Sequence, residues 1–358
     1  MNQALNPAQG HINNFDFLRL LFATLVLYSH SYALTGLPVQ DVLWHFAHGQ
    51  VEFSLFAVRG FFAISGYLIL KSLLWSASLR EYGFKRIIRL FPALWLVIGV
   101  TLIGAYFLSG MPLRSYLTNH SVHLYFLNLV LRLHTGIDGV FEHNPFPVHI
   151  NGSLWTVPYE MLWYILLTPL FFIRRHLTLL RVTLLLAFGG LVFLRQTGLS
   201  QFTIHDAGFS PEQAIFLGTF FVGGALLSLF PLLFRSSRIR TGLVAGSGLA
   251  LVGVFYWGGF DVAQLFLVPV FVIAFGTSNY PSLSWIRNYG DISYGVYIWG
   301  FPIQQTLAHF LHPTQPVMAV LSISIAWALG FASWHLLEKR ALLLKLKSPV
   351  AQSVPVAA

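Results

Sequence analysis

Four stretches of this sequence, LLFATLVLY, FPALWLVIGVTLIGAYFL, MLWYILLTPLFFI and VMAVLSISIAWALGFASW, contain no charged residue. Apolar blocks on the scale of the roughly 20 residues that carry a helix across a hydrocarbon core leave few folds open. In lipid every backbone N–H and C=O must be bonded within the protein, so only helices and closed barrels span it. A barrel needs short segments of alternating polarity, and these blocks do not alternate. Composition agrees: 56% of the 358 residues are hydrophobic and 9% are charged, too few charges to cover a soluble globule of this size. The sequence predicts an all-α, polytopic membrane helical bundle.

Reading along the chain gives ten transmembrane spans, at about 16–36, 52–73, 88–109, 157–173, 178–196, 212–234, 241–257, 261–277, 290–311 and 316–338. The apolar patch SVHLYFLNLVLRL, 121–133, is either an interfacial helix or a further span. Charge sets the direction. With the N-terminus inside, the inside loops collect Lys71, Arg80, Lys85, Arg86, Arg89, Arg174, Arg175, Arg181, Arg235, Arg238, Arg240 and Arg287, and the C-terminal segment adds Lys339, Arg340, Lys345 and Lys347. These are 16 of the 21 Lys and Arg residues. Both termini are expected in the cytoplasm, as an even count of spans requires. A single transmembrane domain over 1–345 and a disordered tail over 346–358 follow. The net charge of +9 is this topology signal, and nothing in it calls for nucleic acid. With no cysteine, a disulfide framework and a thiolate mechanism are both excluded. The first block carries Asp16 and Arg19 and follows no Lys or Arg, so it reads as a retained span.

An ionisable group at bilayer depth costs roughly 2.5–3.5 kcal/mol on insertion scales, yet DFLRLLFATLVLYSH, 16–30, holds Asp16, Arg19 and His30. At 100° per residue Arg19 and His30 share a helix face, about 16 Å apart along the axis, and Asp16 lies within about 60° of Arg19. Such a stripe faces a bundle interior or a water-filled path. The bland alternative is a buried Asp16–Arg19 pair with a histidine bonded to a carbonyl. Farther on, FKRIIRLFP sets Arg86 and Arg89 one turn apart, either as ordinary cytoplasmic arginines or as a double fork for a polyanion. FFAISGYLI embeds Ser65, Gly66 and Tyr67 in an apolar span, where packing is the simpler account. NGSLWTVPYE joins a turn at Asn151 and Gly152 to Pro158 in a first helical turn and then to Glu160. Its Trp155 is an interface anchor or a stacking plate for a sugar. DISYGVYIWGFPIQQ adds Tyr294 and two glutamines. His120 with His123, and His45 with His48, lack a further ligand, so no metal site is expected. A proton-coupled secondary transporter or flippase of a glycan or lipid precursor could use Asp16, Glu52 and Glu160, but no matching pair of broken helices accompanies them.

Taken in order, these segments resemble the acyltransferase-3 family of bacterial membrane acyltransferases, over about residues 13–340. The resemblance is carried by FDFLRLLFATLVLYSH, by FFAISGYLI, by RIIRLFPALW as an R-x-x-R-x-x-P motif, by NGSLWTVPYE as W-[ST]-x-x-x-E, and by ISYGVYIWGFP as the closing I-S-Y-G-x-Y motif. It implies transfer of an acyl group, usually acetyl from acetyl-coenzyme A as co-substrate, to a hydroxyl of an envelope, secreted or lipid-linked sugar. The setting would be the bacterial cytoplasmic (inner) membrane, with no bound cofactor. It makes His30 and Arg19 the functional pair of the first span with Asp16 beside them, and Glu160 the acidic residue of the fourth-span motif. Arg86 and Arg89, with Ser65 and Tyr67, fall on the donor side, and Trp155, Tyr294 and Asn151 toward the acceptor. Many relatives carry histidine where this chain has Gly300, which shifts the weight onto His30. Some also carry a C-terminal extracytoplasmic hydrolase-like domain. This chain is expected to finish the transfer within the bundle or to hand the group to a separate extracytoplasmic transferase, with a homodimer as a further option.

The chemistry fits those roles. Acyl transfer to a hydroxyl needs a base, donors for the thioester oxyanion and a holder for the coenzyme's phosphates. His30 is the natural base, and a polar cavity linking both faces is expected.

Overall fold

The computed structural model describes residues 13–198 and 209–343, and every regular element among them is helical. Phe15–Ala33 (α1) is followed by the short Val42–Phe46 (α2), then by Phe53–Trp75 (α3) and Leu79–Ser109 (α4). Two short pieces, Leu113–Thr118 (α5) and His120–Phe126 (α6), lead to Val157–Leu166 (α7) and Leu177–Gln196 (α8). Pro211–Ser228 (α9), Ser237–Trp257 (α10), Phe260–Thr277 (α11), Ser293–Leu311 (α12) and Gln315–Ser333 (α13) complete the bundle. A π-helical turn over Trp334–Glu338 runs from α13 into Lys339–Leu343 (α14). The tail over 346–358 lies outside the described residues.

Each of the ten expected spans falls on a helix, and among the described residues six helices are long and apolar enough to cross a membrane: α3, α4, α8, α10, α11 and α13 with its continuation to Leu343. Their outward faces are oily. Phe107 is 75% exposed, Leu249 73% and Trp257 83%, as suits helices solvated by acyl chains. The patch at 121–133 is no span, because α6 covers only seven residues before a 3-10 turn over Leu127–Val130.

Two boundaries differ from the sequence reading for physical reasons. The third span was expected from 88, yet α4 begins at Leu79. Ser78 caps it by accepting from the Glu81 N–H at 3.1 Å, and Glu81 accepts from the Ala77 N–H at 2.7 Å, so the helix starts on the polar side of the arginine motif. The segment expected at 157–173 is instead a ten-residue α7 followed by a 3-10 turn over Thr168–Phe171. Pro169 has no N–H to continue the ladder. At 1.5 Å per residue α7 is about 15 Å long, roughly half a hydrocarbon core.

The centre of the bundle is α3, which packs most extensively on α9 and also on α1 and α11. Glycine permits this approach. A Cβ on Gly66 would run into the backbone carbonyl of Phe221, and one on Gly224 into that of Ala63.

Candidate functional site

One cavity of about 310 Å³ opens among α1, α3, α4, α7 and α12, near the end of the bundle where α1, α4 and α12 begin. Six of the expected site residues line it: Arg19, Ser65, Arg86, Arg89, Glu160 and Tyr294. Asp291, Thr156, Tyr164 and Tyr297 also line it and were not expected there.

The charged part is organised by Asp291, in the turn just before α12. Its Oδ2 accepts from Arg19 Nη1 at 2.8 Å and from Arg89 Nη2 at 2.6 Å, while its Oδ1 accepts from Ser293 Oγ at 2.6 Å. Asp16 is a weaker partner of Arg19, at 3.9 Å, so the expected pair within α1 is secondary to one that joins α1 to α12. Arg89 also faces Glu338 at 3.7 Å, with Tyr294 and Trp334 5.8 and 5.9 Å from its guanidinium. Glu338 is 2% exposed and accepts from Ser333 Oγ at 2.9 Å. The π-turn places it there, a distortion of the kind often found at functional sites.

Arg86 is treated differently. Its Nη2 donates to Ser72 Oγ at 3.1 Å, its guanidinium lies 5.7 Å from the rings of both Tyr82 and Tyr164, and its buried Nε has no hydrogen-bond partner. Among the described residues no carboxylate lies within ion-pair distance of it, so of the three lining arginines it alone makes no ion pair, with Glu160 acting on it from farther off. The two arginines of the R-x-x-R motif thus divide: Arg89 is paired with the protein's own carboxylates, and Arg86 bonds a serine hydroxyl and makes no ion pair.

Glu160 sits in the first turn of α7. Tyr164 Oη and, at 3.1 Å, Ser65 Oγ both donate to its Oε1. Across the cavity the buried Tyr294 Oη has no hydrogen-bond partner. A carboxylate, an open hydroxyl donor and a guanidinium without an ion pair around one cavity can bind an anionic ligand, accept a proton and donate to a developing oxyanion.

The remaining expected residues lie off the cavity. Tyr67 follows Ser65 by two residues, or 200° of helix, and packs instead on Phe15 at 5.5 Å and Phe234 at 6.3 Å. Asn151 is fully buried and structural: its Oδ1 accepts from the Ser153 N–H at 3.2 Å, and its Nδ2 donates to the Ile298 carbonyl at 3.0 Å. Trp155 stands beside Tyr159 at 5.9 Å, away from the lining. His30 is half-buried farther along α1, edge-on to Phe301 at 5.7 Å. Phe301 also packs on Phe146 at 5.9 Å, so a loop covers this end. At Gly300 a side chain would collide with Leu27, which lies three residues before His30, so α1 and α12 approach too closely there for a histidine.

Six helices long and apolar enough to cross a membrane, among the described residues, mark a multi-pass membrane protein with a partly polar cavity inside the bundle. The chain belongs to the acyltransferase-3 family: the family's sequence model, described as an acyltransferase domain, matches residues 12–335. It is 32% identical to an O-acetyl transferase of Shigella phage Sf6, over 92% of this chain and 95% of that one. It is 28% identical to nodulation protein 10 of Rhizobium leguminosarum bv. viciae, over the whole of both chains. A peptidoglycan O-acetyltransferase, OatA of Listeria monocytogenes, is 23% identical over 87% of this chain and 56% of its own. No solved structure matches the chain.

Proposed function

We propose that the protein moves an acetyl group from acetyl-coenzyme A to a hydroxyl of a cell-envelope, secreted or lipid-linked sugar, with the cavity as the donor site. The observation that carries this reading is Arg86, a half-buried guanidinium on the cavity with no carboxylate partner, beside Arg89 whose charge is already balanced. A planar fork that makes no ion pair suits a phosphate of the coenzyme. Ten membrane crossings with both termini in the cytoplasm would turn the charged end of the cavity toward the compartment that holds the coenzyme. The contact of Arg174 with the Ser76 carbonyl supports this, since it joins two loops that the charge rule puts on one side.

In this reading the thioester passes inward between Arg86 and Glu160. Tyr294 Oη, which has no hydrogen-bond partner, donates to the oxyanion that forms when the hydroxyl oxygen attacks the carbonyl carbon. The new C–O ester bond forms as the C–S bond breaks, and the coenzyme leaves as its thiol. His30, about 16 Å beyond Arg19 along α1, takes the hydroxyl proton on the acceptor side. Asp16 and Asp291 hold Arg19 in register. Trp155 and Asn151 shape the segment that carries Glu160 and do not touch the donor. No cofactor or metal is required by these steps. The lipid bilayer, the acyl-coenzyme A and the sugar acceptor are the partners.

Release of free coenzyme A from acetyl-coenzyme A tests this in membranes containing the protein. Wild type should release it when an acceptor glycan extract is present, and His30→Ala and Arg86→Ala should lose at least about tenfold in rate. Equal release with and without the protein would sink the proposal.

A further inference from the structure

The polarity of the cavity changes along its length. On α3 the lining runs from Ile69 and Leu68 at the charged end through Ser65 to Phe62, Phe61 and Val58, a distance of about 16 Å. Arg19, Arg86, Arg89 and Asp291 all lie near where α1, α4 and α12 begin, and Ser65 and Glu160 mark the middle. Beyond them the lining is Val58, Phe61, Phe62, Val157 and Tyr297, relieved only by Thr156. A charged mouth and an apolar inner end are what a long polar carrier with a short apolar cargo would fit.

Two rings close the inner end. Phe61 is half-buried and stands edge-on to Tyr297 at 5.8 Å and 66°, and to Phe22 at 5.7 Å and 71°. Tyr297 is held by a hydrogen bond between its Oη and Thr156 Oγ1 at 2.9 Å. One turn farther along α12, Phe301 has left the cavity and packs on His30. The two rings therefore line the inner end of the donor cavity on the α1 and α12 side. They have little room to retreat, because Phe22 is 2% exposed and α3 is fixed against α9 at Gly66 and Gly224.

We infer that Phe61, backed by Tyr297, sets the length of the acyl chain that is transferred. Short unbranched acyl thioesters, acetyl first, bring the carbonyl up to the wall. Each added methylene meets Phe61 and holds the carbonyl back toward the charged mouth, away from His30. This rests on the donor reading above.

The test uses the full-length protein in lipid nanodiscs and reads free coenzyme A from acetyl-, butyryl- and hexanoyl-coenzyme A in wild type, Phe61→Leu, Phe61→Ala and Val58→Phe. Wild type should favour acetyl over butyryl by at least about tenfold. Phe61→Leu and Phe61→Ala should move that ratio toward butyryl by about tenfold or more, the order by which a pocket discriminates one or two methylenes. Val58→Phe, filling the same end from the adjacent turn, should sharpen the preference for acetyl. An acetyl-to-butyryl ratio that stays within about twofold of wild type in the folded variants overturns the inference while leaving the donor reading intact. Absence of thioester consumption by wild type itself would instead remove the donor reading, and the length rule with it. A folded Phe61→Leu that consumes no thioester at all also contradicts the rule, since a length stop changes preference and does not abolish turnover.

Discussion

Asp291 and Arg89 meet at 2.6 Å across 202 residues of sequence, and the same carboxylate oxygen receives Arg19 at 2.8 Å. One acidic side chain thereby ties α1, the arginine motif of α4 and the entrance of α12 into a single charged floor. Without it Arg19 keeps only Asp16 at 3.9 Å and Arg89 only Glu338 at 3.7 Å, a loss below the roughly 3–5 kcal/mol of breaking a fully buried pair. Asp291→Ala should therefore lower the temperature at which the detergent-solubilised protein aggregates and abolish acyl transfer. Asp291→Glu should recover part of both. Fluorescence-detected size exclusion after heating reads the first effect. An Asp291→Ala protein that is as heat-resistant as wild type would show that the bridge is ornamental.

Arg86 and Arg89 should respond differently to substitution although they belong to one motif. Arg86→Ala removes a guanidinium with no carboxylate partner, so it should raise the KM for acetyl-coenzyme A by about tenfold or more with little change in heat resistance. Arg89→Ala leaves Glu338 without its ion-pair partner and Asp291 with Arg19 alone, and should lower heat resistance as well as rate. Steady-state kinetics and melting on the same preparations separate the two. Identical behaviour would mean that the division of labour is wrong.

At Glu160 the carboxylate accepts from Tyr164 and Ser65 while facing the cavity. Glu160→Gln keeps the volume and removes the charge, and should cut kcat by about a hundredfold, within the range for a positioned acid or base. Ser65→Ala removes one of two donors and should cost less than about tenfold. A Glu160→Gln enzyme with wild-type kcat would confine this carboxylate to packing.

Gly66 and Gly224 face the carbonyls of Phe221 and Ala63. Gly66→Ala should therefore force α3 and α9 apart and lose most folded protein from the membrane. Gly104→Ala, where a Cβ meets nothing within 4 Å, should express normally. Quantitative blotting of membrane fractions compares the two.

Much of this architecture was legible in the chain because lipid leaves so few choices. Uninterrupted apolar blocks had to be helices, and they are. What the sequence concealed were breaks made by tertiary packing and proline. The short α7 ends before Pro169, and the π-turn at Trp334–Glu338 carries the Glu338 carboxylate inward at the very end of the last expected span. At the site, residues one or two turns apart on a helix were easy to group, and Arg19, Arg86 and Arg89 do converge. Asp291 was passed over because it stands at the edge of an apolar motif that draws the eye to its tyrosines. A lone carboxylate at the mouth of a span was the available signal. Tyr67 was grouped with Ser65 by adjacency, when helical geometry sets them on opposite faces.

The most direct test of the account is the mass spectrum of envelope and secreted glycans from host cells that carry the intact protein, lack it, or carry His30→Ala or Arg86→Ala at equal membrane levels. The account predicts an ester-linked acetyl group that vanishes on deletion, returns with the wild-type chain, and is not fully restored by either variant. Full restoration by His30→Ala would contradict the proton-acceptor role of His30. An unchanged acetyl pattern on deletion would contradict the claim that this protein acetylates such glycans.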